Sequence, residues 1–227
     1  MKQVKIDYSP LLVSRYGDHY FENRYSNNPQ RIAQFKLDVA YIKKFIKGGV
    51  VCDVGCSTGE FLNFMSWTEK YGMEINEKVI KEAKKNRIKF DKNIFTENEF
   101  FDVVIFRGTI QHVDEPFRMM KMAYNSLKKN GVIVFLATPN SDSILYRLKL
   151  DLPFLSPKIN FYIPGKKSLC NSLVNLGFKI ESVEYPYWKT PYRNFFKDHF
   201  FFLLNIFSKK FYKHSFWGSS MSIIARK

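Results

Sequence analysis

Cysteine is scarce. Cys52, Cys56 and Cys170 are the only three in 227 residues, an odd number without CxxC spacing. That argues against a disulfide framework or a cysteine zinc site and fits a reducing, cytoplasmic compartment. The opening "MKQVKIDYSPLL" has no apolar core of signal-peptide length, so no export signal is expected. Long apolar runs are absent as well. In the aromatic-rich segment 186–218 the longest uncharged one, at 200–207, is broken by Asn205, whereas a bilayer span needs roughly 20 residues. No internal repeat or low-complexity tract is visible. Acidic residues are few, 21 against 36 basic, for a formal charge of +15. Such an excess favours anionic partners, namely nucleic acid, anionic lipid or a phosphorylated substrate. Solubilising lysine on helix faces such as "EKVIKEAKKNRIK" is the better explanation, because no long basic run or Arg-rich block occurs.

What is present is a core-forming composition, 45% hydrophobic and 17% aromatic, in a length suited to one sizeable domain. Residues 1–47 read as an N-terminal helical arm or lid. Tyr16, Tyr20 and Tyr25 are candidates to close over a ligand, and 32–46 carries apolar residues at helical spacing before Gly48-Gly49. From 48 to 227 strands and helices alternate. "VVCDV", "KYGMEI", "FDVVIF" and "VIVFLATP" read as strands, with "RIKF" as a short one. "GEFLNFMSW", "NEKVIKEAKKN" (opened by Asn76) and "EPFRMMKMAYNSLKKN" (closed by Gly131) read as helices. This β-α alternation predicts an α/β, doubly wound, mostly parallel Rossmann-like sheet. A further helix, "KSLCNSLVNLGF", leads to strand "KIESVEY", and "SSMSIIARK" is the last strand. Between those two strands lies an aromatic-rich insertion at 186–218.

The stretch "VVCDVGCSTGEFL" places a strand ending in Asp53 before a turn bracketed by Gly55 and Gly59. Ligands of open α/β sheets sit at such turns, and a following helix N-terminus suits an anion. A dinucleotide fingerprint needs glycine at 55, 57 and 60, but Ser57 and Glu60 stand at two of these. A phosphate-cradling P-loop needs Lys-Ser/Thr after Gly59, where Glu60-Phe61 stands. A ligand with a carboxylate and a positive centre tolerates the acids better, as S-adenosylmethionine does. Glu74, at the end of the second strand, is placed to accept hydrogen bonds from two ribose hydroxyls.

Together "DVGCSTGEFL", "GMEIN", "FDVVIFRGTIQHVDEP" and "LKKNGVIVFLATPN" resemble the class I S-adenosylmethionine (SAM)-dependent methyltransferases. The subgroup is similar to methyltransferases of ubiquinone biosynthesis and of bacterial surface-polysaccharide loci. The resemblance spans residues 16–140 and extends loosely through 185. It implies a seven-stranded sheet ending in a β-hairpin, with SAM as cofactor and S-adenosylhomocysteine as product. It assigns Asp53, Gly55, Cys56, Ser57 and Gly59 to the cofactor loop, with Ser57 replacing the usual central glycine. Glu74 and Ile75 fall at the ribose, Asp91 at the adenine amino group, and Phe106, Arg107 and Gln111 along the cofactor pocket. Arg107 is expected to pair with an anionic group of cofactor or substrate, or to face solvent.

Methyl transfer needs alignment above all, which can supply on the order of 7–11 kcal/mol. A hydroxyl acceptor also needs a proton acceptor. His112, just past the fourth strand, is the candidate catalytic base, since an unperturbed histidine titrates near about 6.5. A loop-shaping role is the alternative. Asp114 and Glu115 are merely adjacent, so no metal is expected. Nucleic acid is disfavoured as substrate. The region after the fourth strand lacks an Asn/Asp-Pro-Pro-aromatic motif, and no cysteine lies between Cys56 and Cys170.

The expected acceptor is therefore a sugar, nucleotide-sugar or phosphorylated precursor of a bacterial surface glycan. A quinone-like metabolite or a non-catalytic accessory role are the alternatives. In the insertion, Phe196, Phe200, Leu203, Phe207 and Phe211 fall at helical spacing beside Lys197, Lys209, Lys210 and Lys213. This face, within 193–213, is expected to pack on the domain, on a twin subunit, or peripherally at the inner face of an anionic membrane.

Overall fold

The structure is a computed structural model that describes residues 28–90, 94–95, 98–152, 155 and 160–227. Residues 1–27, with Tyr16, Tyr20 and Tyr25, lie outside the described residues, as does Asp91.

Helix α1 (Pro29–Ile42) starts where Asn28 accepts from the amides of Gln30 and Arg31, with proline at the first helical position. Strand β1 (Val50–Val54) leads through the glycine turn to α2 (Glu60–Asn63), then β2 (Glu69–Met73), α3 (Glu77–Lys85) and the short β3 (Lys89–Phe90). Asn76 caps α3 by accepting from the Val79 amide at 3.4 Å. The chain then crosses to β4 (Phe101–Arg107), a 3-10 turn (Ile110–His112), α4 (Pro116–Ser126) and β5 (Leu127–Pro139). Helices α5 (Ile144–Lys149) and α6 (Lys166–Asn175) precede β6 (Lys179–Glu184). The insertion holds a 3-10 turn (Pro186–Trp188) and α7 (Phe195–Phe207), and β7 (Ser220–Arg226) closes the chain.

The seven strands form one sheet in the order β3-β2-β1-β4-β5-β7-β6. The first five are parallel, and β7 runs antiparallel to both β5 and β6. The doubly wound sheet and its terminal antiparallel pair are as expected. Because the chain leaves β1 for β2 and β3 and returns to lay β4 on the other side of β1, the switch point falls between β1 and β4.

Strand alternation sorts the core into two layers. Cys52, Val54, Val104, Phe106, Ile133 and Phe135 face Met119, Met120 and Ala123 of α4 and Leu169 and Leu173 of α6. Val51, Val103, Ile105, Val132 and Val134 face Phe35, Val39 and Ile42 of α1 and Phe61 and Leu62 of α2. The parallel strands are apolar on both faces because helices cover both.

Four boundaries differ from the sequence reading, the first being helix α1, which ends at Ile42 and not at 46. Helix α4 ends at Ser126, not at Gly131, because Leu127 already pairs with Phe101 as the first residue of β5. Helix α2 is a single turn rather than the full "GEFLNFMSW". Helix α7 ends at Phe207, so Phe211 leaves the helical face and packs with Leu145, Leu152 and Leu155.

Candidate functional site

The site is built at the carboxyl ends of β1, β2 and β4, where two loops meet. Gly55 has φ +74°, and a side chain there would come within 2.7 Å of Thr109 Cγ2 and 2.8 Å of its Oγ1. The turn after β1 and the loop after β4 are therefore in contact at a position only glycine fits. Gly59 (φ +71°) is restricted in the same way by Ile88 at 2.6 Å. Ser57 also adopts positive φ, +54°, which costs a non-glycine residue about 1–2 kcal/mol.

Glu74 holds this loop in place. Its Oε2 accepts from the Ser57 amide at 3.0 Å, and Oε1 accepts from the amides of Ile75 (2.8 Å) and Asn76 (3.2 Å). Burial raises its carboxyl pKa, against the lowering effect of these three amides. Three donors leave one of a carboxylate's roughly four acceptor positions for a hydroxyl donor.

Asp53 lies inside the same edge, 3% exposed, and its Oδ1 has no hydrogen-bond partner. Burial pushes its pKa up to about 7, countered by the Arg107 guanidinium and reinforced by the Glu74 charge. The buried Ser57 hydroxyl is unpartnered too. Acceptors without donors, two carboxylates on one edge and two glycine close approaches fit a ligand that brings hydroxyls and positive charge. S-adenosylmethionine, with ribose, ammonium and sulfonium, has that chemistry. An anion at a helix N-terminus is less well served, since α2 is one turn long and Glu60 pairs with Arg31 at 3.3 Å.

The other expected site residues fall into distinct positions. The Cys56 side chain turns away from the loop surface into the core. A Cβ on Gly72 would meet its Sγ at 2.5 Å, while the Cys56 amide donates to Met73 O at 3.2 Å. Burial pushes its thiol pKa well up, so it is no nucleophile. Ile75 follows Glu74 directly and is half-buried. Phe106 is fully buried and stacks on Phe135 with centroids 5.2 Å apart, because alternation along β4 aims it at the opposite layer from Asp53. What it offers the site is backbone.

Arg107 is turned inward, and its Nε is paired within the chain. Its Nε donates to Asp38 Oδ2 at 2.9 Å, and the guanidinium lies over the rings of Phe35 (4.5 Å) and Phe61 (5.2 Å). Asp38, on α1, also accepts from Gln34 at 2.7 Å, and burial raises its pKa despite the ion pair. The pair latches α1 onto the end of β4. Asp38 carried a signal in the sequence: it sits in the apolar stripe of Phe35, Val39 and Ile42, where a charge needs a partner.

Gln111 Nε2 donates to Gly108 O at 3.0 Å and stands 3.2 Å from His112 Nε2. A carbonyl can only accept, so the amide nitrogen faces both groups and His112 Nε2 is an acceptor, which places the ring proton on Nδ1. Gln111 O accepts from the Phe161 amide, and Gln111 Oε1 is buried without a partner. Asn140, beyond β5, was not singled out by sequence. It is 2% exposed, donates to Gly218 O and accepts from the amides of Asp142 and Lys166. These bonds tie the insertion's return to the edge that bears the site. Among the described residues no group of three or more potential ligands could hold a metal ion.

Comparison with known proteins agrees with this geometry. The sequence profile of a methyltransferase domain family matches residues 19–183. No curated protein matches the chain. Among solved structures, a SAM-dependent methyltransferase from Archaeoglobus fulgidus superposes with a TM-score of 0.62 at 21% identity, covering 93% of this chain and all of that one. A possible histamine N-methyltransferase from Thermotoga maritima gives 0.64 at 19% identity, over 95% of this chain and 98% of that one. Magnesium protoporphyrin IX methyltransferase from Synechocystis PCC 6803, solved with bound SAM, gives 0.60 at 15% identity over the full length of both.

Proposed function

The chain belongs to the methyltransferase domain family and is a SAM-dependent methyltransferase, and from that premise we propose that it methylates a hydroxyl of a sugar, nucleotide-sugar or phosphorylated precursor of a bacterial surface glycan. When bound, SAM supplies a methyl group already activated by its sulfonium for in-line displacement. The chain's own residues do the rest. Asp53, Glu74 and the loop from Gly55 to Gly59 hold the cofactor. Ser57 contributes its amide to the Glu74 clamp and its hydroxyl to the ligand. Thr109, packed against Gly55, fixes the spacing between cofactor loop and acceptor side. The Arg107–Asp38 latch seats α1 beside this edge and shields it from water.

His112 is the group we assign to the acceptor proton. Gln111 orients its ring and leaves Nε2 with a lone pair. Proton transfer to Nε2 requires the 3.2 Å contact to open as the acceptor arrives, and Gln111 then serves as the positioning residue. The observation that carries the reading is the Asp53–Glu74 edge, with unsatisfied acceptors around a glycine turn. The preference for an anionic acceptor is supported by the net charge of +15.

Turnover with SAM against a panel of nucleotide sugars, sugar phosphates and quinols tests the proposal, with the methylated product located by mass spectrometry. A mass gain of one methyl group on a sugar hydroxyl is expected, reduced about 100-fold or more by His112→Ala. Turnover confined to quinols would overturn the acceptor assignment, and unchanged turnover in His112→Ala would remove the base.

A further inference from the structure

Helix α7 buries two polar residues, Asp198 and Asn205, beside Phe202, which packs on Leu145, Leu152 and Leu155 and stacks on Phe216. Asp198 accepts from Tyr187 Oη at 3.1 Å and from the Asn194 amide at 2.9 Å. Asn205 clamps the returning strand segment, donating to Tyr212 O at 2.9 Å and accepting from the Tyr212 amide at 2.8 Å. The outer face carries Phe195, Phe196, Phe200, Leu203, Ile206 and Phe207, all exposed; Phe196 is 83% exposed and Phe207 87%. Scattered surface apolar residues need no explanation, but six on one helix face, left uncovered while Phe202, Asp198 and Asn205 hold the helix to the domain, mark an interaction surface.

Charge identifies what covers it. Exposed cations stand at both ends of this face, Arg193 and Lys197 before or within its first turn and Lys209, Lys210 and Lys213 after its last. None of the five is ion-paired among the described residues. Lys197 and Lys210 lie over the rings of Phe201 and Tyr212, each 5.7 Å from the centroid. From residue 185 to the end of the chain the only acid is Asp198, and it is buried. A second copy brought to this face by two-fold symmetry would set cations against cations with no exposed acid to neutralise them. An apolar strip rimmed by lysine is instead complementary to an anionic lipid surface, with acyl chains below and negative headgroups at the rim.

We propose that the outer face of α7 docks the protein peripherally onto an anionic bilayer. Strand β6 runs parallel to β5, so the insertion that follows Glu184 emerges at the sheet edge that bears the cofactor loop. It is tied there by Thr190 Oγ1 donating to Gln34 at 2.8 Å and by the Asn140–Gly218 bond. Docking through α7 therefore brings the site's edge toward the membrane surface. No described helix is long and apolar enough to cross the bilayer, so attachment is from one side.

The test is co-flotation of the full chain with vesicles of phosphatidylcholine alone or with about one third phosphatidylglycerol. It reads partition rather than turnover, so it stands or falls apart from the acceptor assignment. The wild type is expected to float with the anionic vesicles and to be released at about 0.5 M salt. The double variant Phe196→Ser/Phe207→Ser is expected to lose at least tenfold in partition at an unchanged melting temperature, and Lys209→Glu/Lys210→Glu to lose it on anionic vesicles. Failure of the wild type to float, equal flotation with both vesicle kinds, or flotation retained by the double phenylalanine variant would each overturn the proposal. So would a concentration-dependent dimer that the double variant abolishes while vesicles leave the wild type behind.

Discussion

The β1–β2 edge and helix α7 both bury polar side chains, but they finish them differently. Along the edge, Asp53 Oδ1 and the Ser57 hydroxyl are buried without a partner, and burial pushes Asp53 up to about 7. In α7, Asp198 accepts from Tyr187 Oη and the Asn194 amide, and Asn205 exchanges hydrogen bonds with the Tyr212 backbone, all within the insertion itself. The first region is left incomplete for something the protein must bind. The second closes Asp198 and Asn205 with partners of its own, leaves His214 Nε2 as its one unpartnered buried nitrogen among the described residues, and is unfinished mainly outside, where phenylalanine meets solvent. Unsatisfied polar groups and uncovered apolar groups are two signs of the same thing, a missing partner, and each names that partner's chemistry.

The contrast can be broken most severely from the α7 side. Asn205→Leu leaves the Tyr212 N–H without its side-chain partner, while Tyr212 O keeps His214 Nδ1 at 2.8 Å, so a loss of about 1–3 kcal/mol in unfolding free energy is expected by denaturant titration. A cost under about 0.5 kcal/mol would mean the clamp is not structural.

On the edge side, Asp53 binds its proton up to about pH 7 when folded but only to about 3.8 when unfolded. Between those values the native state holds more protons than the unfolded chain. Asp53's contribution to stability is therefore present at low pH and lost as pH rises through about 7, at up to about 1.4 kcal/mol per pH unit. The stability difference between wild type and Asp53→Asn should fall from pH 5 to pH 7 and then level. A cationic ligand favours the ionised carboxylate, so S-adenosylhomocysteine, which carries an ammonium, should bind more weakly at pH 5.5 than at pH 8. A pH-independent difference would contradict the burial of a titrating Asp53.

Phe196→Ser, at an exposed position, should change stability by no more than about 0.5 kcal/mol by thermal melt. A larger loss would mean that the residue packs against the protein in solution.

Much of the layout was legible in the sequence. Continuous apolar strands and capped helices specify a doubly wound sheet because helices must cover both faces. The glycine turn and Glu74 were legible because each answers a local requirement, a positive φ or a carboxylate at a strand end. The latch between Asp38 and Arg107 was not, since its halves lie far apart in sequence and meet only once α1 packs on β4. Phe106 was placed with its neighbours on the pocket wall, but strand alternation sends it to the other layer. The end of α4 was misread because "SLKKNG" suits a helix terminus locally, while pairing of Leu127 with Phe101 draws those residues into β5. In α7 the phenylalanines read first as packing on the domain or a twin subunit, until the fold showed Phe202 with Asp198 and Asn205 on the inner face and Phe196, Phe200 and Phe207 exposed.

On this reading the Glu74-clamped glycine turn binds the SAM family of ligands. Calorimetric titration with S-adenosylhomocysteine, alongside Glu74→Ala of matched melting temperature and with NAD as control, tests it directly. Micromolar binding by the wild type, weakened tenfold or more in the variant, a loss of about 1.4 kcal/mol, is the expected result. No binding by the wild type, or equal binding by Glu74→Ala, would contradict it.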